Sequence, residues 1–460
     1  MPGIEPTIHR CLQVVLAAVL TLALAAPAQA ETLPRHDGPL TLGRAVDLAL
    51  VQSLRVKAAG ADARTMESMR HESQAPFWPQ LSANGYLVEQ RMAPNVYTSA
   101  GNTMARNYQV FDADRTRNAN VTVMYPLFSG GRDYYGYQAA ARRAEAGRQM
   151  LRATEVDVAM QARLDYINVL REQENLRVTT ELRRDVEERL RVTRETFEAG
   201  RVPRFYVLRD EAELANTLQM QAMAQSRLEQ SLVALKTTLG LDLASQVELA
   251  DRLEFQQTAA SIDEGIREAS DRQPEIQAAR KQREAAAAEV RAAYGSYFPQ
   301  VSLSYMYDWG WTRSRAWESQ AEGTRMRGDG SEGYSAGIVV TLPIFDGFMR
   351  ENALRTAKSK LDRAAQAEGL ARQQIARDVN QAALMLAAAE TSVEASRKGL
   401  EQAEEEARVV RERFASGRGI QLEVLDAQVA LTRARFNAVS ALAEYQSAQA
   451  MWLRAIGRVR

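Results

Sequence analysis

Cysteine is almost missing from this chain: the 460 residues hold one, Cys11, and only three histidines. Cys11 precedes the apolar run 12–26 instead of closing it, which argues against a lipid-modified cysteine at a cleavage point. Residues 1–30 read as a secretory signal, with His9 and Arg10 before the apolar run and Ala28-Gln29-Ala30 as the small-residue cleavage site. Once that segment is removed, no thiol is left for a disulfide or a metal, so stability must come from packing or oligomerisation. A charge of one sign is also missing: 58 basic residues balance 58 acidic ones. No basic stripe points to nucleic acid. Beyond residue 30 no apolar run approaches the roughly 20 residues of a membrane helix. Any membrane contact must therefore be made by strands. A nucleophile elbow, a zinc-binding helix motif and a phosphate-cradling glycine loop are all absent, which excludes the common enzyme classes. No cofactor is expected.

What the chain does contain is a duplication. Tyr125-Pro126-Leu127-Phe128-Ser129-Gly130-Gly131-Arg132 returns around Leu342-Pro343-Ile344-Phe345-Asp346-Gly347, and Phe197-Glu198-Ala199-Gly200-Arg201 returns as Phe414-Ala415-Ser416-Gly417-Arg418. The offsets agree: 343 − 126 = 217 and 417 − 200 = 217. The organisation read from this is a signal at 1–30, a first repeat at 31–240, a linker at 241–264 and a second repeat at 265–460. Each repeat is expected to hold a helix, two strands (80–90 and 118–128; 300–309 and 334–345), a long helix (132–199; 347–416) and a return helix (204–239; 420–457). A helix of that length spans about 100 Å.

The strands alternate with period two: Ala119, Val121, Val123 and Tyr125 against Asn118, Asn120, Thr122 and Met124, and Val301, Leu303, Tyr305 and Tyr307 against Ser302, Ser304, Met306 and Asp308. The second long helix carries an unbroken heptad seam from Val379 through Leu386, Val393, Leu400 and Ala407 to Phe414. Gly200 and Gly417 end the long helices, as C-capping glycines do. Four strands cannot close a barrel, and open edges are not viable in lipid. Three chains supply twelve strands, a workable membrane barrel. Phe77, Trp78, Tyr297 and Phe298 precede strands, and Tyr125, Phe128 and Phe345 end them. All seven stand at one end of the strands and read as an aromatic girdle at a membrane–water interface.

Leu40-Thr41-Leu42-Gly43-Arg44-Ala45, the strand starts Trp78-Pro79-Gln80 and Phe298-Pro299-Gln300, the strand end at Tyr125, and Ser416-Gly417 followed by Glu423-Val424-Leu425-Asp426-Ala427 give the chain its resemblance to the TolC family of outer membrane efflux proteins. The resemblance implies a mainly α fold with a membrane β-barrel contribution: a homotrimer with a 12-stranded barrel in the outer membrane and an α-helical tunnel in the periplasm. It also implies two partners, a periplasmic adaptor (membrane fusion) protein and an inner-membrane transporter, as in tripartite efflux or type I secretion. It places the pore constriction at Glu423 and Asp426, and the adaptor-docking turns at Gly200, Arg201, Gly417 and Arg418. The chain departs from the family pattern at Gly419, Tyr206 and Phe414, where an arginine, an acid and a hydroxylated aromatic are common. The competing reading is a periplasmic coiled-coil structural or adaptor protein, which needs no barrel strands.

Overall fold

The computed structural model describes residues 34–35, 38–90, 111–258, 260–316, 331–416 and 418–458. The signal segment and Gly417 lie outside the described residues. The chain is mainly helical, with four long strands. In the first repeat, β1 (Gly38–Leu40) leads into α1 (Leu42–Gln52) and α2 (Leu54–Glu72), followed by β2 (Gln80–Gln90) and β3 (Phe111–Phe128). The long helix α3 (Arg132–Glu198) and the return helix α4 (Arg204–Leu239) complete it. After β4 (Val247–Leu249) the second repeat holds α5 (Ile262–Arg272), α6 (Pro274–Gly295), β5 (Gln300–Ala316), β6 (Ser331–Thr341), α7 (Met349–Ala415) and α8 (Gln421–Ala455).

The Thr41 hydroxyl caps α1, accepting from the Arg44 amide at 3.4 Å. The pattern reads as one helix to residue 73, but the chain breaks at Ser53, whose ψ of 127° is extended. The break lies where α4 arrives end-on: a Cβ on Gly240 (φ 68°) would stand 2.8 Å from the Gln52 carbonyl oxygen. The second repeat has the same splice between α5 and α6. There the buried Gln273 amide donates to the carbonyls of Arg454 at 2.7 Å and Ala455 at 2.8 Å, meeting the open acceptors at the end of α8. Each repeat thus has one continuous column, α3 or α7 (67 residues each), beside one spliced column, α2 on α4 or α6 on α8.

The strands form one antiparallel sheet in the order β2-β3-β5-β6. β3 and β5 run on into the stretches 111–117 and 310–316. Register puts Leu81, Val123 and Tyr305 on one face with Ala83, Val121, Tyr307 and Tyr334, and puts Asn84, Asn120 and Asp308 on the other. The Asn84 amide donates to Asn120 Oδ1 at 3.2 Å across that polar face. β2 and β6 are left as edges.

The two larger apolar clusters hold the helices together, one per repeat. Leu40, Tyr166, Leu235 and Leu239 anchor the first, and Val379, Leu386, Tyr445 and Trp452 anchor the second. The linker crosses both as a strap. The Tyr166 hydroxyl lies 2.7 Å from the Leu40 carbonyl oxygen and 2.9 Å from the Asp251 carboxylate. Burial, reinforced by Asp251, pushes that hydroxyl well above the ordinary tyrosine range. The Tyr445 hydroxyl donates to the Gln256 carbonyl at 2.7 Å and accepts from the Thr258 amide at 3.0 Å. Where strand meets helix, two backbones cross at glycines: a Cβ on Gly295 would stand 2.8 Å from the Arg132 nitrogen and 2.9 Å from the Gly130 oxygen.

Candidate functional site

The two hairpin tips lie at the far ends of α3 and α7. In the first, Gly200 takes φ 72°, its amide donates to Phe197 at 2.8 Å, and the Arg201 amide donates to Thr196 at 2.9 Å. This pair of bonds satisfies the last carbonyls of α3 and turns the chain toward Pro203. In the second tip the Arg418 amide donates to the Arg413 carbonyl at 2.9 Å. Arg201 and Arg418 are exposed, and neither side chain has an ion-pair partner among the described residues. Both guanidiniums are free to meet an acidic surface.

Glu423 falls in the first turn of α8, where the positive end of the helix favours a carboxylate, and Asp426 follows three residues later on nearly the same side. Their surroundings differ. Glu423 is half-buried against its own hairpin, its Oε2 3.9 Å from Arg413 Nη1, while Asp426 is exposed. Gly419 lies close by: a Cβ on it would stand 3.1 Å from the Phe414 nitrogen and 3.4 Å from Glu423 Oε2.

The first hairpin has a different interior. Asp210 is fully buried, with Arg189 Nε at 3.1 Å and the Thr193 hydroxyl donating at 2.7 Å. The residues 217 further on are Ala427 for Asp210 (210 + 217) and Val410 for Thr193 (193 + 217). The second hairpin packs Ala403, Ala407, Ala427 and Leu431 instead.

The repeats are joined along α3 and α8. Arg454 reaches Asp157 at 2.8 Å, Glu275 at 3.5 Å and Asp378 at 3.7 Å, so one guanidinium ties four helices. Burial pushes the Glu275 carboxyl up, against the pull of Arg454. Nearer the tips, Arg435 pairs with Glu181 at 3.3 Å and Gln428 donates to Asp185 at 3.2 Å. Among the described residues this is the last polar link between α3 and α8, so the opening turns of α8, with Glu423 and Asp426, extend beyond it.

At the opposite end, the junction aromatics lie together at one edge of the sheet. Trp78 is 69% exposed and Phe345 75% exposed, and Phe77, Phe128 and Phe298 are also open to the outside. Tyr125 and Tyr297 are half-buried, and the Arg350 guanidinium lies 5.2 Å from the Tyr297 ring centre. A second belt, which the sequence reading missed, occupies the other end of the apolar face. Tyr307 and Trp309 meet at 4.4 Å and Tyr305 stacks with Tyr334 at 6.5 Å. From Phe298 to Trp309 is 309 − 298 = 11 residues. At about 3.3 Å each and a tilt near 40° that is about 28 Å, close to the height of the lipid-facing band of an outer-membrane barrel. The signal for this belt was the run Tyr305, Tyr307, Trp309 at every second position.

The family described as outer membrane efflux protein matches residues 45–241 and 265–458, one span in each repeat. The protein CyaE of Bordetella pertussis is 25% identical over 428 residues, covering 91% of this chain and 84% of that protein. The outer membrane efflux protein BepC of Brucella suis is 24% identical over 453 residues, 98% of this chain and 91% of its own. Among solved structures, the Campylobacter jejuni CmeC outer membrane channel superposes with a TM-score of 0.77 at 17% identity, covering 90% of this chain and 85% of that one.

Proposed function

The chain belongs to the outer membrane efflux protein family, and on that premise we propose that three copies close their strands into one twelve-stranded barrel standing on a helical tunnel gated at Glu423 and Asp426. The protein is an outer membrane efflux channel with a periplasmic tunnel, of the kind that serves tripartite efflux and type I secretion, and not an enzyme. The observation that carries the trimer is the open sheet. Its β2 and β6 edges are unpaired and its apolar face is bounded by two aromatic belts, an arrangement that lipid admits only in a closed barrel.

The gate reading rests on the tip of the second hairpin. Asp426 offers an exposed carboxylate beyond the last inter-repeat link, and Glu423 is held beside it. Threefold symmetry gathers both into a ring at the periplasmic mouth, where crowded carboxylates attract multivalent cations. Planar-bilayer recording tests this. Glu423→Gln with Asp426→Asn is expected to weaken block by a trivalent cation by about tenfold or more, the effect of removing closely set charges. Unchanged block in conducting channels would refute the assignment.

The turns at Gly200 and Gly417 present Arg201 and Arg418 to a periplasmic adaptor, which in turn engages an inner-membrane transporter. Photo-crosslinkers placed at positions 201 and 418 in growing cells are expected to capture the adaptor. Capture from position 136, at the barrel end of α3, with none from the turns would move the docking site elsewhere.

A further inference from the structure

The helical layer has a furnished face and a bare one. The strap, β1 with β4, and the short helices α1 and α5 lie on the first. Tyr445, Gln446 and Gln449 of α8 all reach the strap. Ser447, two residues and about 200° round the helix from Tyr445, points the other way. There the layer opens into a niche of about 680 Å³ between α3, α7 and α8. In a tube closed with the strap on the outside, the bare face lines the bore.

The niche walls join apolar surface to unbalanced negative charge. Met385 and Met451 supply polarisable, adaptable side chains, and Ser447 leaves room between them. Asp165 accepts from Gln161 at 2.9 Å and from Thr238 at 2.5 Å, and among the described residues it has no ion-pair partner. Glu444 is exposed, with no partner among the described residues. The one cation among the described residues of the wall, Arg171, is engaged by the buried Glu172 at 2.8 Å. The cavity therefore keeps a net negative charge beside two thioethers, in a volume suited to a drug-sized molecule.

We propose that this niche is a binding site for amphipathic organic cations in transit through the tunnel, one in each subunit. The proposal rests on the tunnel reading and adds a substrate class to it. Equilibrium dialysis of the purified full-length channel against tetraphenylphosphonium tests it, with bilayer conductance measured on the same samples. Saturable binding is expected. It should weaken by about tenfold in Asp165→Asn with Glu444→Gln, since each removes a charge facing the ligand, and weaken also in Ser447→Trp, which sets a bulky ring into the niche. Glu444→Gln alone changes only an exposed side chain and should give a partial loss. Three results would overturn the proposal: no saturable binding by a channel that conducts, equal binding in the variants, or equal binding of tetraphenylborate. Protein that folds but never conducts would sink the tunnel reading, and the niche with it.

Discussion

Gly130→Val is expected to abolish the assembled channel. Gly130 adopts φ 66°, a left-handed conformation that a β-branched residue occupies only under strain. A side chain there would also overlap the Gly295 carbonyl oxygen and stand 2.7 Å from Phe298 Cβ. Neither neighbour can give way, because one is backbone and the other is a Cβ fixed two residues before β5. The crossing is where the sheet is fastened to the helices, so its loss separates barrel from tunnel. The heat-modifiable species on a denaturing gel and outer membrane fractionation provide the readout, and both should fall to background. Gly136→Ala, six residues on and with nothing within 4 Å of its Cβ, is the control and should behave as wild type. Normal assembly of Gly130→Val would show that the crossing tolerates a side chain.

Asp210→Ala is expected to destabilise the first hairpin by about 3–5 kcal/mol, the usual consequence of leaving one half of a buried ion pair alone. Arg189 is 17% exposed and would lose its ion-pair partner, and the Thr193 hydroxyl would lose its acceptor. Thermal unfolding in detergent and limited proteolysis near Gly200 would both register the change. The second repeat shows what an apolar solution looks like, with Ala427 in the matching place beside Leu431. Replacing the pair together, Arg189→Met with Asp210→Leu, should therefore recover much of the loss. If the single and double variants were equally unstable, the hairpin would depend on something other than this pair.

The architecture could be read because it repeats itself and because its periods are pure. An offset of 217 residues, a two-residue alternation and a heptad seam each survive without tertiary context. The seam residues Val379, Leu386 and Val393 are buried, whereas Phe414 at its end is 46% exposed, because the seam runs out at the tip. The interior charges could not be read. Asp210, Glu172 and Glu368 sit in sequences as charged as any solvated helix face, yet all three are buried. Only the neighbouring helix decides that. Glu368, for example, is closed over by Arg283 at 3.1 Å and Arg372 at 2.5 Å. The splices at Ser53 and Gln273 were hidden for the same reason. Helical pattern continues through Ser53, and the interruption comes from a second helix arriving end-on. The niche at Glu444 depends on which face the strap leaves bare, a choice made by two buried tyrosines.

The pairing of β3 with β5 also sets an order of events. Val121 meets Tyr307 across 307 − 121 = 186 residues, while each helical hairpin closes through a turn of a few residues. Contacts so far apart in sequence carry a large loop-closure cost and form slowly. A chain arriving N-terminus first can complete its α3–α4 hairpin long before β5 exists. Its sheet must wait for the second repeat, and the free edges of that sheet must wait for two further chains. The part of the molecule destined for lipid is thus the last to be made, and until it closes its two strand edges stay open to wrong pairing.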